Sequence, residues 1–572
     1  MSTSLTSGRA ASGRRVLRSL LPGPGPAGLL ALAVAAATAL PLAAPQFTRR
    51  FVDDAAGGAG LHQLTLIALG YLAVAVAGQA ARMVTAWLAS RVAWDGTNRL
   101  RERLAEHTLG LDMDFHGRHT PGELIERVDG DVVAVADFVV AFLLDVVASA
   151  LLLCGVVVVV FAVDPRIGAV LLAYCVLVAL GMIRAQRLAV PSAMRARAAD
   201  AALFGYLEER LAGADDLRAN GAGEHAVRRF YQVSAALWRT GLRASAVGSA
   251  ILAATSVAFA AGTALMLALS GTLSVGTAVL LFQYTLMVRT PFERLIDQLR
   301  HYQTALAGLG RIGDLLAERR TPAVSATVGE LPATGALRLE LDAVDFAYDL
   351  AHDHGAEPVL KGVTLSLAPG ETLGLVGRTG SGKTTIARLV ARLYDPTAGV
   401  VRVGGVDLRD VDAASVRRRI GVVTQDVQLF DATVRDNLTL FRPFADDDRL
   451  REILADVGLA GWDLDARLGT VSAGEAQLLA FARAFLADPG LVLLDEASSR
   501  LDPATERRIE RSVTRLLTGR TGVLIAHRLA SLSRVDQIAV VSDGRIVEYG
   551  RREDLLADPA SRFARMLAEV GR

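Results

Sequence analysis

Gly377-Arg378-Thr379-Gly380-Ser381-Gly382-Lys383-Thr384 is the stretch of this 572-residue chain whose reading decides the fold. Its spacing, G-x-x-x-x-G-K-[ST], is that of a phosphate-binding loop. The glycines let the backbone turn sharply and aim N–H groups at phosphate oxygens. Lys383 brings a compact charge to the β- and γ-phosphates, and the Thr384 hydroxyl reaches Mg2+. The chain holds only two lysines, against 59 arginines among its 61 basic residues, so an ammonium here is a selective use of that side chain. The apolar run Thr372–Val376 before the loop predicts a buried strand, and Thr385–Leu393 after it predicts a helix. Phosphates would then lie at a helix N-terminus, where free N–H groups and the dipole favour anions. Gly377 through Thr385 is therefore the expected phosphate cradle of a bound nucleotide.

The rest of the composition departs from that of a soluble enzyme. Hydrophobic residues make up 52% of the chain and the mean hydropathy is +0.36. This apolar excess lies before about residue 295. A net charge of +1 gives no argument for nucleic acid as a partner. Cys154 and Cys175, the two cysteines, fall inside apolar runs and read as small buried hydrophobes.

Six apolar stretches approach the ~20 residues needed to span a bilayer. They are 27–45, 63–89, 137–163, 167–183, 245–270 and 275–288, the last short unless it continues past Arg289 and Pro291. The connections 164–166 and 271–274 are brief, whereas 90–136 and 184–244 are long, charged and helical in pattern. Arginines cluster before the first span, in the second connection, and from Arg184 to Arg243, which marks those sides as cytoplasmic. Both termini are then cytoplasmic, in what reads as a bacterial inner-membrane protein. Arg82 and Asp145 are ionisable positions inside the spans, expected to pair with each other or to sit at headgroup level. Gln79, Gln283 and Tyr284 are expected either to line a translocation path or to make interhelical hydrogen bonds. His116 and His119 lack a third metal ligand and read as surface residues.

Residues 318–335 mix Pro, Thr, Gly and charge without periodicity, as a linker does. From Ala336 onward strands and helices alternate. Leu491-Val492-Leu493-Leu494-Asp495-Glu496 is an apolar strand ending in two carboxylates. Beside a phosphate loop, Asp495 can hold the Mg2+ shell through water, and Glu496 can polarise a water for attack on the γ-phosphate.

With these motifs in one chain, the sequence resembles an ATP-binding cassette (ABC) transporter of the exporter type, a half-transporter with six helices fused to one nucleotide-binding domain. The resemblance runs from about residue 27 onward. It implies a membrane all-α six-helix domain followed by an α/β P-loop NTPase domain. The expected division is 1–26 tail, 27–317 transmembrane domain, 318–335 linker and 336–572 nucleotide-binding domain. Tyr348 matches the aromatic that stacks on adenine, Gln425 the Q-loop glutamine that senses Mg2+, and His527 the switch histidine at the γ-phosphate. Ser499-Arg500-Leu501-Asp502 matches the D-loop. The segments 111–127 and 213–221 resemble the two intracellular coupling regions.

Two departures from the family pattern stand out. The signature reads Val471-Ser472-Ala473-Gly474-Glu475 where Leu-Ser-Gly-Gly-Gln is usual. Ser472 and Gly474 are kept and imply contacts to a γ-phosphate on the opposite subunit, while Glu475 places a negative charge near that anion. The stretch 461–470 before it is several residues shorter than in related exporters, which bears on coupling to the membrane domain. The resemblance implies catalytic roles for Glu496, His527 and Gln425, and Mg2+ contacts from Thr384, Gln425 and Asp495. ATP and Mg2+ are the implied cofactors, and a second half-transporter, the same or different, is the implied partner. Membrane lipid surrounds the helices, and the cargo is not identified beyond a lipophilic small molecule, lipid or peptide. Import instead of export, or an ATP-gated regulator, are the competing readings.

Overall fold

The computed structural model describes residues 23–318, 329–348, 357–443, 446–495, 503–526 and 529–570. The chain divides into two compact units, and the division does not follow the order of the sequence. One unit contains residues up to Leu109 together with Gly122–Glu318; the other contains Gly110–Pro121 with Arg319 onward.

The first unit is built from long helices: α1 (Pro24–Ala56), α2 (Leu61–Leu109), α4 (Pro121–Val163), α5 (Pro165–Ala212), α7 (Gly223–Leu269) and α8 (Val275–Ala317), with the short α6 (Ala214–Ala219) between α5 and α7. At 1.5 Å per residue, the 49 residues of α2 extend about 70 Å, more than twice a bilayer's ~30 Å hydrocarbon core. The expected spans are thus the apolar portions of continuous helices, and the charged connections are the same helices carried further. Five of the six, all but α8, contain an apolar stretch long enough to cross a membrane. Helix α8 runs unbroken through Arg289 and Pro291, where Arg289 Nε donates to Glu293 Oε1 at 2.8 Å. The brief turns are chemically marked. Asp164 accepts from Arg166 N at 2.7 Å to start α5 ahead of Pro165, and Ser274 Oγ accepts from Thr277 N at 3.2 Å to start α8. Asp53, near the end of α1, reaches the same start of α8, accepting from Ser274 Oγ and Gly276 N.

Two π-turns interrupt α4, at Glu126–Gly130 and Phe142–Val147. Each adds a residue to a turn and so rotates the side chains that follow. The core of this unit joins α4, α5, α7 and α8 through Val160, Leu171, Met266, Leu280, Leu281 and Tyr284.

The second unit has two sheets. Strands β6 (Ile420–Val423), β7 (Leu491–Asp495), β8 (Thr521–Ile525), β3 (Thr372–Val376) and β9 (Gln537–Ser542) are parallel, with β10 (Arg545–Arg551) antiparallel at the edge, in the order β10-β9-β3-β8-β7-β6. An antiparallel sheet of order β2-β1-β4-β5 uses β1 (Leu339–Phe346), β2 (Leu360–Leu367), β4 (Ala398–Val403) and β5 (Val406–Asp407). The parallel strands are almost wholly apolar because they are covered on both faces.

Two expectations about boundaries change. Residues 329–335, expected as linker, belong to the α/β unit: Gly329 N donates to Asp410 O at 2.7 Å, Leu331 N donates to Ser415 Oγ at 3.2 Å, and Leu331 is in the core. Their Pro and Gly content made a packed edge look like a tether. The segment Gly110–Pro121 also joins this unit. Its helix α3 (Met113–Arg118) is capped by Asp112, which accepts from Phe115 N at 2.9 Å, and Phe115 is 2% exposed. His119 stacks on Phe115 with centroids 4.4 Å apart.

Candidate functional site

The phosphate loop follows β3, in the middle of the parallel sheet, and leads into α9 (Lys383–Val390). Its conformation requires glycine. Gly377 has φ +155° and a Cβ there would lie 2.2 Å from Val541 O; Gly382 has φ +109° and a Cβ would lie 2.6 Å from Leu360 Cδ2. Lys383 is 4% exposed, and its Nζ donates to the carbonyls of Gly377 at 2.7 Å and Arg378 at 2.9 Å, so the ammonium is held over its own loop. Ser381 Oγ is buried and has no hydrogen-bond partner among the described residues. An orphan hydroxyl inside a ring of glycines is what an anion-binding loop leaves for its ligand.

A cavity of about 800 Å³ opens beside the loop, lined by Tyr348, Thr379, Gly380, Gly382, Lys383, Thr384, Thr385, Gln425 and Asp495 among others. Sheet order explains the convergence. Asp495 ends β7 and Gln425 follows β6, so both emerge at the carboxyl edge shared with the loop after β3. Tyr348 comes from the other sheet, just past β1. Its hydroxyl lies 3.1 Å from Thr385 Oγ1 and accepts from Arg388 Nη1 at 3.1 Å, while its ring meets Tyr394 edge-on at 5.2 Å. Burial pushes the Tyr394 hydroxyl up, opposed by Arg388 and reinforced by Tyr348 and by Asp114 and Asp112 of the α3 segment.

The loop carrying Gln425 is braced by α13, counted after α10 (Ala413–Arg419), α11 (Val434–Thr439) and α12 (Asp447–Asp456), and spanning Ala473–Ala487. Gln477 Nε2 donates to Thr424 O at 3.4 Å, and Arg483 donates to Gln428 O at 3.0 Å and to Asn437 O at 2.7 Å. Burial lowers the pKa of Arg483.

Ser472 and Gly474 are not brought to this cavity; they begin α13, with Ser472 exposed. Here the structure reveals what sequence reading missed. Ser472 and Glu475 form a reciprocal capping box: Ser472 Oγ accepts from Glu475 N at 3.3 Å, while Glu475 Oε2 accepts from Ser472 N at 2.9 Å and Ser472 Oγ at 2.8 Å. The S-x-x-E spacing ahead of an apolar helix was the available signal. The Ser472 N–H, then its hydroxyl, hold the Glu475 carboxyl below the usual range. The short stretch before it is zipped to α11, with Val434 N donating to Ala466 O and Arg435 N to Leu464 O. Glu496, Ser499, Arg500, Leu501, Asp502 and His527 lie outside the described residues; β7 and β8 end one and two residues before Glu496 and His527.

The helical unit holds two cavities of its own. One of about 670 Å³ is lined by residues of α1, α2, α4 and α8, including Arg82, Asp145 and Arg294. A second, of about 330 Å³, includes Tyr71, Arg82 and Gln283. Asp145 does not pair with Arg82. It faces Arg294 Nη1 at 3.4 Å and accepts from Gln298 Nε2 at 2.9 Å. The π-turn at 142–147 carries Asp145 and sets its direction in a way helical periodicity could not anticipate. Tyr284 is likewise not a lining residue: it is fully buried, donates to Leu42 O at 2.7 Å beside Pro41 and Pro45, and accepts from Gln46 Nε2 at 3.2 Å. Its hydroxyl thus makes hydrogen bonds between α8 and α1, the other role expected of it. Among the described residues no cluster of three or more His, Cys, Asp or Glu side chains is arranged to hold a metal.

Residues 360–499 match the family model described as ABC transporter, and residues 28–292 match that of the ABC transporter transmembrane region. A multidrug efflux ATP-binding/permease protein of Mycobacterium bovis is 33% identical over 95% of this chain, which spans about half of that relative's length (46%). A fatty acid ABC transporter ATP-binding/permease protein, also of Mycobacterium bovis, is 30% identical over 80% of this chain and 74% of its own length. The structure of a bacterial Atm1-family ABC exporter with ATP bound shares the fold, with a TM-score of 0.79 at 23% identity, covering 96% of this chain and 98% of that one.

Proposed function

This chain belongs to the ABC transporter family, and from that premise we propose that it hydrolyses ATP to export a lipophilic small molecule, lipid or peptide, by alternating access in a dimer. The convergence of Tyr348, Lys383, Thr384, Gln425 and Asp495 on one cavity carries this reading. Tyr348 stacks on adenine. Lys383, the N–H groups of the loop and the Ser381 hydroxyl hold the β- and γ-phosphates. Thr384, Gln425 and Asp495, the last through water, would hold Mg2+, which neutralises charge between those phosphates. Hydroxyl, amide and carboxylate oxygens fit such a hard cation, which keeps several waters.

Ser472 and Gly474 offer a hydroxyl and an N–H to the γ-phosphate on a facing cassette, so a complete site takes two cassettes. Glu496 orients and polarises the attacking water, and His527 contacts the γ-phosphate. ATP favours the closed pair of cassettes, and hydrolysis removes that preference. The segment at 110–121 and the turn at 213–221 transmit closure to the helices. The arginine-rich side of the bundle faces the cytoplasm of a bacterial inner membrane. The partner is a second copy or a different half; the 46% span against the multidrug relative favours testing the latter directly.

The test is ATP hydrolysis by the full chain, purified alone into lipid nanodiscs, beside Glu496→Gln. Loss of a positioned base lowers turnover by roughly 10³-fold while ATP binding persists. Undiminished hydrolysis would remove Glu496 from its role; ATP binding without hydrolysis in the parent chain would assign the missing half to another protein.

A further inference from the structure

The two cavities of the helical unit share Pro41, Arg82 and Met287, so Arg82 stands at their junction. Arg82, Asp145 and Arg294 are the charged residues of their lining. Asp145 is committed to Arg294 and Gln298. Arg82 has no hydrogen bond or ion pair among the described residues, so the lining carries one uncompensated positive charge.

Depth gives that charge a meaning. Arg82 is 21 residues from the Leu61 end of α2, Asp145 18 from the Val163 end of α4, and Arg294 19 from the Val275 end of α8. At 1.5 Å per residue all three lie about 30 Å from the ends joined by short turns, one hydrocarbon thickness away. The charged group is thus at the level of one interface. Beside it are Val34, Ala37 and Leu144, and above it the walls include Leu152 and Met287 in the larger cavity and Val74 and Leu286 in the smaller. A cavity of 670 Å³ is in the range that encloses a small ligand. An unpaired guanidinium lining a largely apolar cavity at that level favours an anionic partner.

We infer that these joined cavities bind an amphiphile with an anionic head, carboxylate or phosphate, whose head pairs with Arg82 and whose chain lies along the apolar walls. The inference names a cargo class for the export proposed above and rests on that reading. A guanidinium suits both heads because its fork matches two oxygens at once. Asp145 sets the strength of the site: by neutralising Arg294 it leaves one cation for the head.

The experiment uses the full chain without nucleotide in phosphatidylcholine nanodiscs, titrated with dansyl-undecanoate and competed with oleate, lysophosphatidate or oleyl alcohol. Oleate or lysophosphatidate displaces the probe at roughly tenfold or more lower concentration than oleyl alcohol. A preference confined to one of the two anions assigns the head as carboxylate or phosphate. Arg82→Ala abolishes the preference and Arg82→Lys keeps part of it. Asp145→Asn, which frees Arg294, widens it, and decides the matter if Arg82→Ala does not fold. The inference is overturned if the probe does not bind saturably, if oleyl alcohol competes as well as oleate, or if neither Arg82→Ala nor Asp145→Asn moves the ratio. The transport reading fails separately, if probe binding persists but no amphiphile stimulates ATP hydrolysis in the parent chain.

Discussion

The nucleotide cavity and the cavities of the helical unit hold their cations in opposite ways. In the α/β unit, Lys383 is fastened over its own loop by two backbone carbonyls, on a rigid turn between a buried strand and a helix. In the helical unit, Arg82 projects from the middle of a 49-residue helix towards a lining where the nearest carboxylate is already engaged. The first arrangement is preorganised for a single anion geometry. The second offers charge without a fixed mould, which suits cargo recognised by an end group and tolerated along its length. On the proposed reading, specificity is concentrated in the nucleotide site and relaxed in the helical cavities.

Lys383→Ala tests the preorganised side most severely. Removing an ammonium from a phosphate site lowers ATP affinity by roughly 100-fold or more, measured by equilibrium binding of a fluorescent ATP analogue. Retained affinity would mean the backbone alone holds the phosphates. Tyr348→Ala should weaken the same binding about tenfold, since aromatic stacking on a base contributes ~1–3 kcal/mol, while Tyr348→Phe loses only the hydroxyl's links to Thr385 and Arg388. Equal losses in both variants would assign the effect to positioning by Arg388 instead of stacking.

Glu475→Gln should give the smallest change. In the proposed dimer, removing this negative charge near the facing cassette's phosphate raises apparent ATP affinity roughly threefold, while the amide still completes the cap. The pH dependence has a definite sign. The folded Glu475 pKa is lowered, so the cap's charged contribution is complete above the ordinary value of 4.5 and fades as pH falls through the folded value. The parent chain and Glu475→Gln should therefore differ most in thermal stability near neutral pH and converge in acid. A constant difference down to pH 3 would show that the carboxylate charge is not what stabilises this helix start.

The nucleotide site was legible because its parts are contiguous motifs whose strands are placed by simple α/β topology. Strand ends carrying Gln425 and Asp495 must reach the loop after β3 once the sheet order is set. The membrane site was only half legible. Arg82 and Asp145 stand out as charges in apolar runs, but their partners come from other helices, and a π-turn reorients Asp145 by an amount no helical repeat records. Of the two roles open to Tyr284, lining a path or bonding between helices, it takes the second, its hydroxyl meeting Leu42 O and Gln46 of α1, far away in sequence. Residues 329–335 looked like a tether because Pro and Gly serve packed edges as well as loose ones. At Glu475 the comparison with a family pattern drew attention to charge and away from the local cap that the S-x-x-E spacing spelled out.

The membership of Gly110–Pro121 in the α/β unit sets an order of assembly during synthesis. That segment leaves the ribosome some 200 residues before Arg319, an interval of roughly 10–40 s at ordinary elongation rates. It must remain available until the sheets form. A cassette translated from a start near residue 319 would complete its strands without this piece. Poor solubility of an isolated cassette would then reflect a missing part of its own fold, and supplying residues 110–121 as a separate peptide should relieve it.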